Sequence, residues 1–368
     1  MSGQWSFGGA EEVAFNEEFA HYHGAKHGIF MANGTVTLQC ALGALGIGPG
    51  DEVIVPALTW LATAMAVRYA GATPVFADIE PTTLCLNSAA LEAAITERTR
   101  AVIPVHLYGG MADMEAILKI AARHDLKVIE DCAHAQGGKW NGRGVGSWGD
   151  IGSFSFQQSK TLSSGEGGIC LTNDDALADR LYRSKHIGYG AATAQGRPSA
   201  GPPPGLICHN FRATEFQALI LRDQLKALPE LIETYNANAA RIEARLAGSD
   251  GLRVQERGRL AGPQSYYGLV ILCDEGPLSE VPQARILEAV HAEGLSLSGT
   301  YGSVYHHTLW NLPASDFRIA DGGCPIADGI ATTHALVLAH QWLGADEKTI
   351  EAIGDILVKV AANADELR

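Results

Sequence analysis

Lys160 stands in the stretch GSFSFQQSKTLSSGEGG, Gly152 to Gly168. It follows a short run holding Phe154 and Phe156 and precedes a turn with three glycines among four residues, Gly165, Gly167 and Gly168. Partial desolvation and nearby charge lower the pKa of an amine, so that it acts as a nucleophile and later as a base. In KVIEDCAHAQGG, Asp131 closes a strand-like run, and the carboxyl edge of an open α/β sheet is where ligands bind. His134 follows three residues later; the two are too few ligands for a metal, and each taken alone has a structural explanation of equal weight. In MANGTVTLQCALGAL, a strand ends, Asn33-Gly34-Thr35 turns and a helix begins. Free N–H groups and the helix dipole favour a phosphate there, although alone the turn reads first as an ordinary N-cap.

Joined together, these parts suit pyridoxal 5'-phosphate. A lysine can form a Schiff base with its aldehyde, and a carboxylate can keep its pyridine nitrogen protonated so that the ring accepts electrons. The glycines let the backbone turn close to such a group. One superficial motif is set aside. GVGSWG, Gly144 to Gly149, matches GxGxxG by letter but precedes a strand, whereas a dinucleotide fingerprint follows a strand and opens a helix.

The elements that must hold these residues alternate in type. HGIFMA, DEVIVP, TPVFADI, AVIPVHLYG and KVIED are β-rich and nearly continuous in apolar character, as in strands covered on both faces. TVTLQCALGAL, LATAMAVRYAG, SAALEAAITERTR and DMEAILKIAARHD between them show helical spacing. The pattern predicts an α/β fold, a mostly parallel sheet with helices on both faces. Residues 192–205, rich in Gly and Pro, read as an exposed loop of undetermined role. A long helix follows, with Pro229 as a kink site. After Gly251 the texture becomes α+β, which divides the chain into a large domain, 1–248, and a small C-terminal domain, 249–368.

Composition limits the alternatives. The net charge of −14 and the absence of a Lys/Arg cluster argue against a nucleic-acid partner. No run reaches the length of a membrane helix, and the acidic start MSGQWSFGGAEEVAF is unlike a signal peptide. The seven cysteines are scattered without a CxxC, so buried free thiols are expected. These features predict a cytoplasmic protein without a metal. His23 and His27, one helical turn apart, read as an exposed helix face.

The segments ANGT, DEVIVPALTW, PVFADI, VIEDCAHAQGG, GRGVGSWGDIGSFSFQQSK, SSGEGG and NFRATEFQA together resemble the DegT/DnrJ/EryC1/StrS aminotransferase family, from about Trp5 to the final helices. The resemblance implies fold type I and dependence on pyridoxal 5'-phosphate. It makes Lys160 the Schiff-base lysine, Asp131 the partner of the pyridine nitrogen and Trp60 the aromatic stacked on the cofactor ring. Gly34, Thr35 and Ser155 match phosphate contacts, and Asn210 matches an asparagine that reaches the phosphate of the neighbouring subunit, which implies a homodimer. The chain departs from many members at His134, where they have Gln beside the cofactor's 3'-oxygen, and in VYHHTLW, where relatives often have an arginine. It also lacks residues that usually precede GQW. Tyr305, His306 and His307, with His186 in RSKHIGYG, are candidate substrate contacts; a structural role suits His186 equally.

Lysine at 160, rather than the histidine of family dehydratases, implies transamination from glutamate or glutamine to a cyclic ketone. The motifs look most like the scyllo-inosose branch, while the start and EDCAHA look as much like 3-amino-5-hydroxybenzoate synthases. A nucleotide-ketosugar aminotransferase remains a third reading, with Lys185 or Arg197 as possible phosphate contacts. A regulatory protein without turnover is disfavoured, because it has no need of the lysine. The histidines in place of arginine favour a neutral polyhydroxylated ring.

Overall fold

The computed structural model describes residues 5, 7–191, 200–258, 260–273, 275–330 and 335–368. Its principal sheet has eight strands, in the order His27–Met31, Gly168–Thr172, Ile151–Ser155, Lys127–Asp131, Thr99–Val102, Glu52–Pro56, Thr73–Ala77 and Arg318–Ile319. Gly168–Thr172 runs antiparallel to both its neighbours; every other pair is parallel. The apolar run DEVIVP becomes the strand Glu52–Pro56, buried at every residue, and Ile151–Ser155 and Gly168–Thr172, which were not among the near-continuous apolar runs, are buried throughout as well. Exposure in this sheet is confined to strand ends and the edge strand Arg318–Ile319, apart from Arg100, as expected of a sheet covered on both faces.

Several helices start where the sequence supplies a side-chain acceptor. Asn33 accepts from Val36 N–H at the head of Gly34–Ala44, and Asp113 and Asp174 cap Met114–Arg123 and Asp175–Lys185 in the same way. The expected helix SAALEAAITERTR shortens to Ser88–Ala93, because Thr99 and Arg100 join the strand Thr99–Val102. AVIPVHLYG splits likewise, with Leu107–Gly109 forming a 3-10 turn. Glu215–Leu246 is one helix that continues through Pro229.

Apolar side chains gather in two clusters. One fills the space around the large sheet, and the other packs Glu215–Leu246, from Tyr235 onward, against a four-stranded antiparallel sheet and the helix Glu347–Ala362. Val304, Trp310, Ala320, Cys324, Ala327 and Ile330 belong to the first cluster, and Arg318–Ile319 extends the large sheet beside Thr73–Ala77. The C-terminal third therefore crosses back to the large sheet before it completes the small one.

The histidine pair near the N-terminus corrects an expectation. His23 ends the helix Ala10–His23 and is buried among Phe19 and Phe154, while His27 begins a strand and meets Asp175 at 2.6 Å. The Nδ1–H of His23 donates to the Val145 carbonyl at 2.9 Å and its Nε2 accepts from Gly137 N–H at 3.3 Å. Burial pushes its pKa down to about 4, so the ring is neutral. Six of the seven free cysteines are buried, and Cys208 is half-buried. Among the described residues no helix is long and apolar enough to cross a membrane. Residues 192–199 of the Gly/Pro-rich loop, Arg197 included, lie outside the described residues.

Candidate active site

Lys160 rides on the loop joining two antiparallel neighbours of the sheet. Ile151–Ser155 leads in and Gly168–Thr172 leads out, and the loop is cross-braced by Phe156 N–H to Gly167 O at 2.8 Å and Gln158 N–H to Gly165 O at 2.9 Å. Gly165 takes φ +82°, a value that favours glycine, so the chain can reverse behind the lysine. Lys160 N–H donates to the Gln157 carbonyl at 2.8 Å, and this fixes where the side chain leaves the backbone.

The carboxyl ends of several strands converge on one cavity of about 620 Å³. Lys160, Asp131, His134, Gly34, Thr35, Trp60 and Ser155 all line it. Asp131 ends the strand Lys127–Asp131, and both its oxygens are held. Thr63 Oγ1 donates to Oδ2 at 2.8 Å, and Ala133 N–H donates to Oδ1 at 3.1 Å. Burial raises the Asp131 pKa, and these two donors with the Lys160 charge only partly offset that rise. Burial lowers the Lys160 pKa to about 8 against a smaller opposing pull from Asp131. At pH 7 a pKa of about 8 leaves roughly a tenth of the amine neutral, against well under one in a thousand for an ordinary lysine.

The Asn33-Gly34-Thr35 turn opens a helix at the cavity wall. A Cβ on Gly34 would lie 2.7 Å from Ser155 Cβ, so only glycine lets the turn approach that strand end. N–H groups of the first turn lack carbonyl partners one turn back and carry the positive end of the helix dipole.

His134 stacks face to face on Tyr267, with ring centroids 3.8 Å apart and planes 13° apart. Its Nδ1 accepts from Tyr108 N–H at 3.2 Å, so the proton of the neutral ring sits on Nε2. Burial, helped by the Lys160 charge, holds its pKa well below the usual histidine range.

The remaining candidates separate. Tyr305 donates to Asp328 Oδ1 at 2.7 Å and packs on Phe76. The two adjacent histidines lie at the end of the 3-10 turn Val304–His306 rather than on an extended loop. His306 is exposed near Asp328, at 3.5 Å, whereas the His307 ring centroid lies 6.0 Å from that of Trp60 at the cavity wall. His186 is buried against Phe7, with Nδ1 facing Arg212 Nη1 at 3.1 Å, and does not line the cavity. Lys185 is buried too, its Nζ held by Glu12 at 2.5 Å and the Phe30 carbonyl at 2.7 Å, so it is unavailable to a substrate phosphate. Asn210 is exposed and lies outside this cavity, paired by a short bridge with His186.

Sequence reading passed over Thr63, Tyr267, Tyr301, Gln157 and Ser159, which also line the cavity. Thr63 carried a weak signal in its i, i+4 spacing from Thr59, whose hydroxyl it meets at 3.0 Å. Tyr267 carried none, since it reads as the start of a strand. GVGSWG also has an observed role. Gly146, Trp148 and Gly149 N–H groups donate to the Glu130 carboxylate at 2.9, 2.7 and 2.8 Å. His106 takes Ala112 N–H on Nδ1 at 3.2 Å, which leaves its Nε2–H to face Glu130 at 3.2 Å. Glu130, His106 and Cys132 are close enough to suggest a metal, yet these hydrogen bonds already satisfy the ring and carboxylate.

A half-buried lysine of lowered pKa beside a buried carboxylate, at the carboxyl edge of a helix-covered sheet, defines an enzyme of the fold type I transferase class. The chain belongs to the DegT/DnrJ/EryC1/StrS aminotransferase family, whose pattern it matches over residues 1–356. It is similar to an L-glutamine:2-deoxy-scyllo-inosose aminotransferase of Streptoalloteichus tenebrarius, with 37% identity over 100% of this chain and 91% of the relative. The Streptomyces fradiae enzyme of that name is 42% identical over 84% of this chain and 75% of its own length. Among solved structures, 3-amino-5-hydroxybenzoic acid synthase superposes with a TM-score of 0.87 at 30% identity, covering 98% of this chain and 93% of the other.

Proposed function

We propose that this aminotransferase uses pyridoxal 5'-phosphate to move an amino group from glutamine or glutamate to the ketone of a neutral cyclitol such as scyllo-inosose or a close relative. The observation that carries the reading is the enclosure of Lys160 and Asp131 in one cavity in which Lys160 is the sole cation among the described lining residues. The cofactor, when bound, supplies an electron sink for the carbanion formed at the donor's Cα.

The residues present fit that group. The Gly34 turn offers a cradle that a side chain would fill, with first-turn N–H groups and the Ser155 hydroxyl available to a phosphate. Asp131, raised by burial, gains most from a cationic N–H partner, which would hold it ionised. Trp60 offers a ring face at the wall, and His134 an Nε2–H donor. Lys160 Nζ, with its lowered pKa, can take a proton at one carbon and return it at another as a single positioned base.

For the acceptor, Trp60, Tyr301 and the nearby His307 present ring faces and an imidazole, with no arginine among the cavity's described lining residues. Such a wall suits hydroxyl groups and ring C–H faces better than a diphosphate. The named relatives act on 2-deoxy-scyllo-inosose with L-glutamine, which supports the same class here. The proposal includes a homodimer in the cytoplasm, with Asn210 reaching the neighbouring subunit's phosphate site.

The test offers the amino-loaded enzyme a panel of cyclitol ketones and nucleotide ketosugars and follows return of the aldehyde spectrum. Turnover of cyclitols supports the reading. Turnover confined to nucleotide ketosugars rejects this acceptor. Ammonium release or a new aromatic chromophore without an amino donor would instead indicate the synthase-type reaction.

A further inference from the structure

Tyr267 lies one residue before the strand Gly268–Leu272 of the small sheet, yet it makes contact with the lysine on the large one. Lys160 Nζ sits 4.4 Å from its ring centroid. The ring is also stacked on His134, its hydroxyl meets Ser159 Oγ at 3.1 Å, and its carbonyl faces His340 Nδ1 at 3.2 Å. The backbone before the small sheet, the serine before the lysine and the histidine after Asp131 are thereby joined through one residue.

We propose that Tyr267 is a positioning residue for Lys160: its ring face holds the ammonium form of Nζ over the cavity, while its hydroxyl anchors the turn that carries the lysine. This rests on the reading of Lys160 as the amine that carries the proton. The charged and titratable groups around Nζ are Asp131, which favours the ammonium, and His134 and His340, which are neutral at pH 7 because burial lowers both. Glu166 and Tyr301 line the same cavity, and burial keeps the Tyr301 hydroxyl protonated. With only Asp131 opposing desolvation among the groups that shift Lys160, an aromatic face is the nearest further source of negative potential. A cation held against such a face when desolvated is favoured enough to move an amine's titration by about one unit.

The test measures the pH dependence of Lys160 acylation by acetic anhydride in the full-length protein dialysed against hydroxylamine, read by peptide mass mapping. Tyr267→Phe keeps the ring and should leave the midpoint within about 0.3 unit of wild type. Tyr267→Leu keeps the apolar cover but loses the ring face, so its midpoint should fall by about half a unit or more. If its thermal melting shows that Tyr267→Leu misfolds, pentafluorophenylalanine in place of Tyr267 reverses the ring's quadrupole at nearly constant shape and should lower the midpoint relative to Tyr267→Phe. A midpoint that does not fall when the ring face is removed or reversed overturns the proposal. Failure of the cofactor reading shows separately, as borohydride fixation of pyridoxal phosphate on a lysine other than Lys160.

Discussion

Thr63 and Asp131 are 68 positions apart in the chain, yet Thr63 Oγ1 donates to Asp131 Oδ2 at 2.8 Å, with both side chains buried. A donor in the first turn of one helix thus holds a carboxylate that ends another element and opposes the rise in its pKa caused by burial. Thr63→Val keeps the shape and deletes the donor. The lost hydrogen bond is one that lowers the Asp131 pKa, so that pKa rises further and the acid limb of the activity profile should move to higher pH by about one unit. Measuring kcat/KM from pH 5 to 8 checks this; an unmoved limb removes Thr63 from the electrostatics of the site.

Lys160 should be the residue that carries a pyridoxyl group after borohydride reduction of the yellow, loaded protein. Tryptic mapping reads the position. A pyridoxyl group on any other lysine would refute the site.

Asp131→Asn should keep the cofactor and lose most of its half-reaction rate with the amino donor, on the order of a hundredfold or more, since a neutral amide no longer balances a protonated ring nitrogen. Stopped-flow single turnovers give the rate. A variant as fast as wild type removes Asp131 from that role.

Glu130 is a buried ion satisfied by three backbone N–H groups and His106. Burial pushes its pKa up, and the hydrogen bonds from His106, Gly149 and Gly146 outweigh that push, so the folded value lies below the ordinary one. A depressed carboxyl pKa contributes stability above the unfolded value of 4.5, and the contribution fades as pH falls through the folded value. Glu130→Gln should therefore be less stable by about 3 kcal/mol at pH 7, and the difference should narrow below pH 4.5. Urea unfolding at pH 7 and pH 4 measures it; a difference that does not shrink in acid contradicts the ionic role.

Asn210 should act across a subunit boundary. Mixing inactive Lys160→Ala chains with impaired Asn210→Ala chains should restore one intact site per heterodimer, recovering up to about a quarter of wild-type activity by random pairing. If subunit exchange is demonstrated by differential tagging and no activity returns, the shared site is wrong.

The sequence by itself determined the local pieces of this protein. The continuous apolar run DEVIVP dictated a buried strand, Asn33 dictated the helix start at Gly34, and the glycines around Lys160 dictated a reversing turn. Each of those decisions is made within a few residues, by side-chain periodicity, a capping acceptor or a permitted φ, and so each is written in the sequence beside it. What only the tertiary structure decided is which distant segments meet. Thr63 reaches Asp131, and Tyr267 crosses from the small sheet to Lys160. Residues 303–330 return to the large sheet, His186 is turned into the packing of Phe7, and His306 and His307 part company on a 3-10 turn. The reason is that these contacts come from close packing of whole elements. A tyrosine before a strand looks the same in sequence whether it faces solvent or a lysine more than a hundred residues away, and only the joint burial of both sheets selects between them.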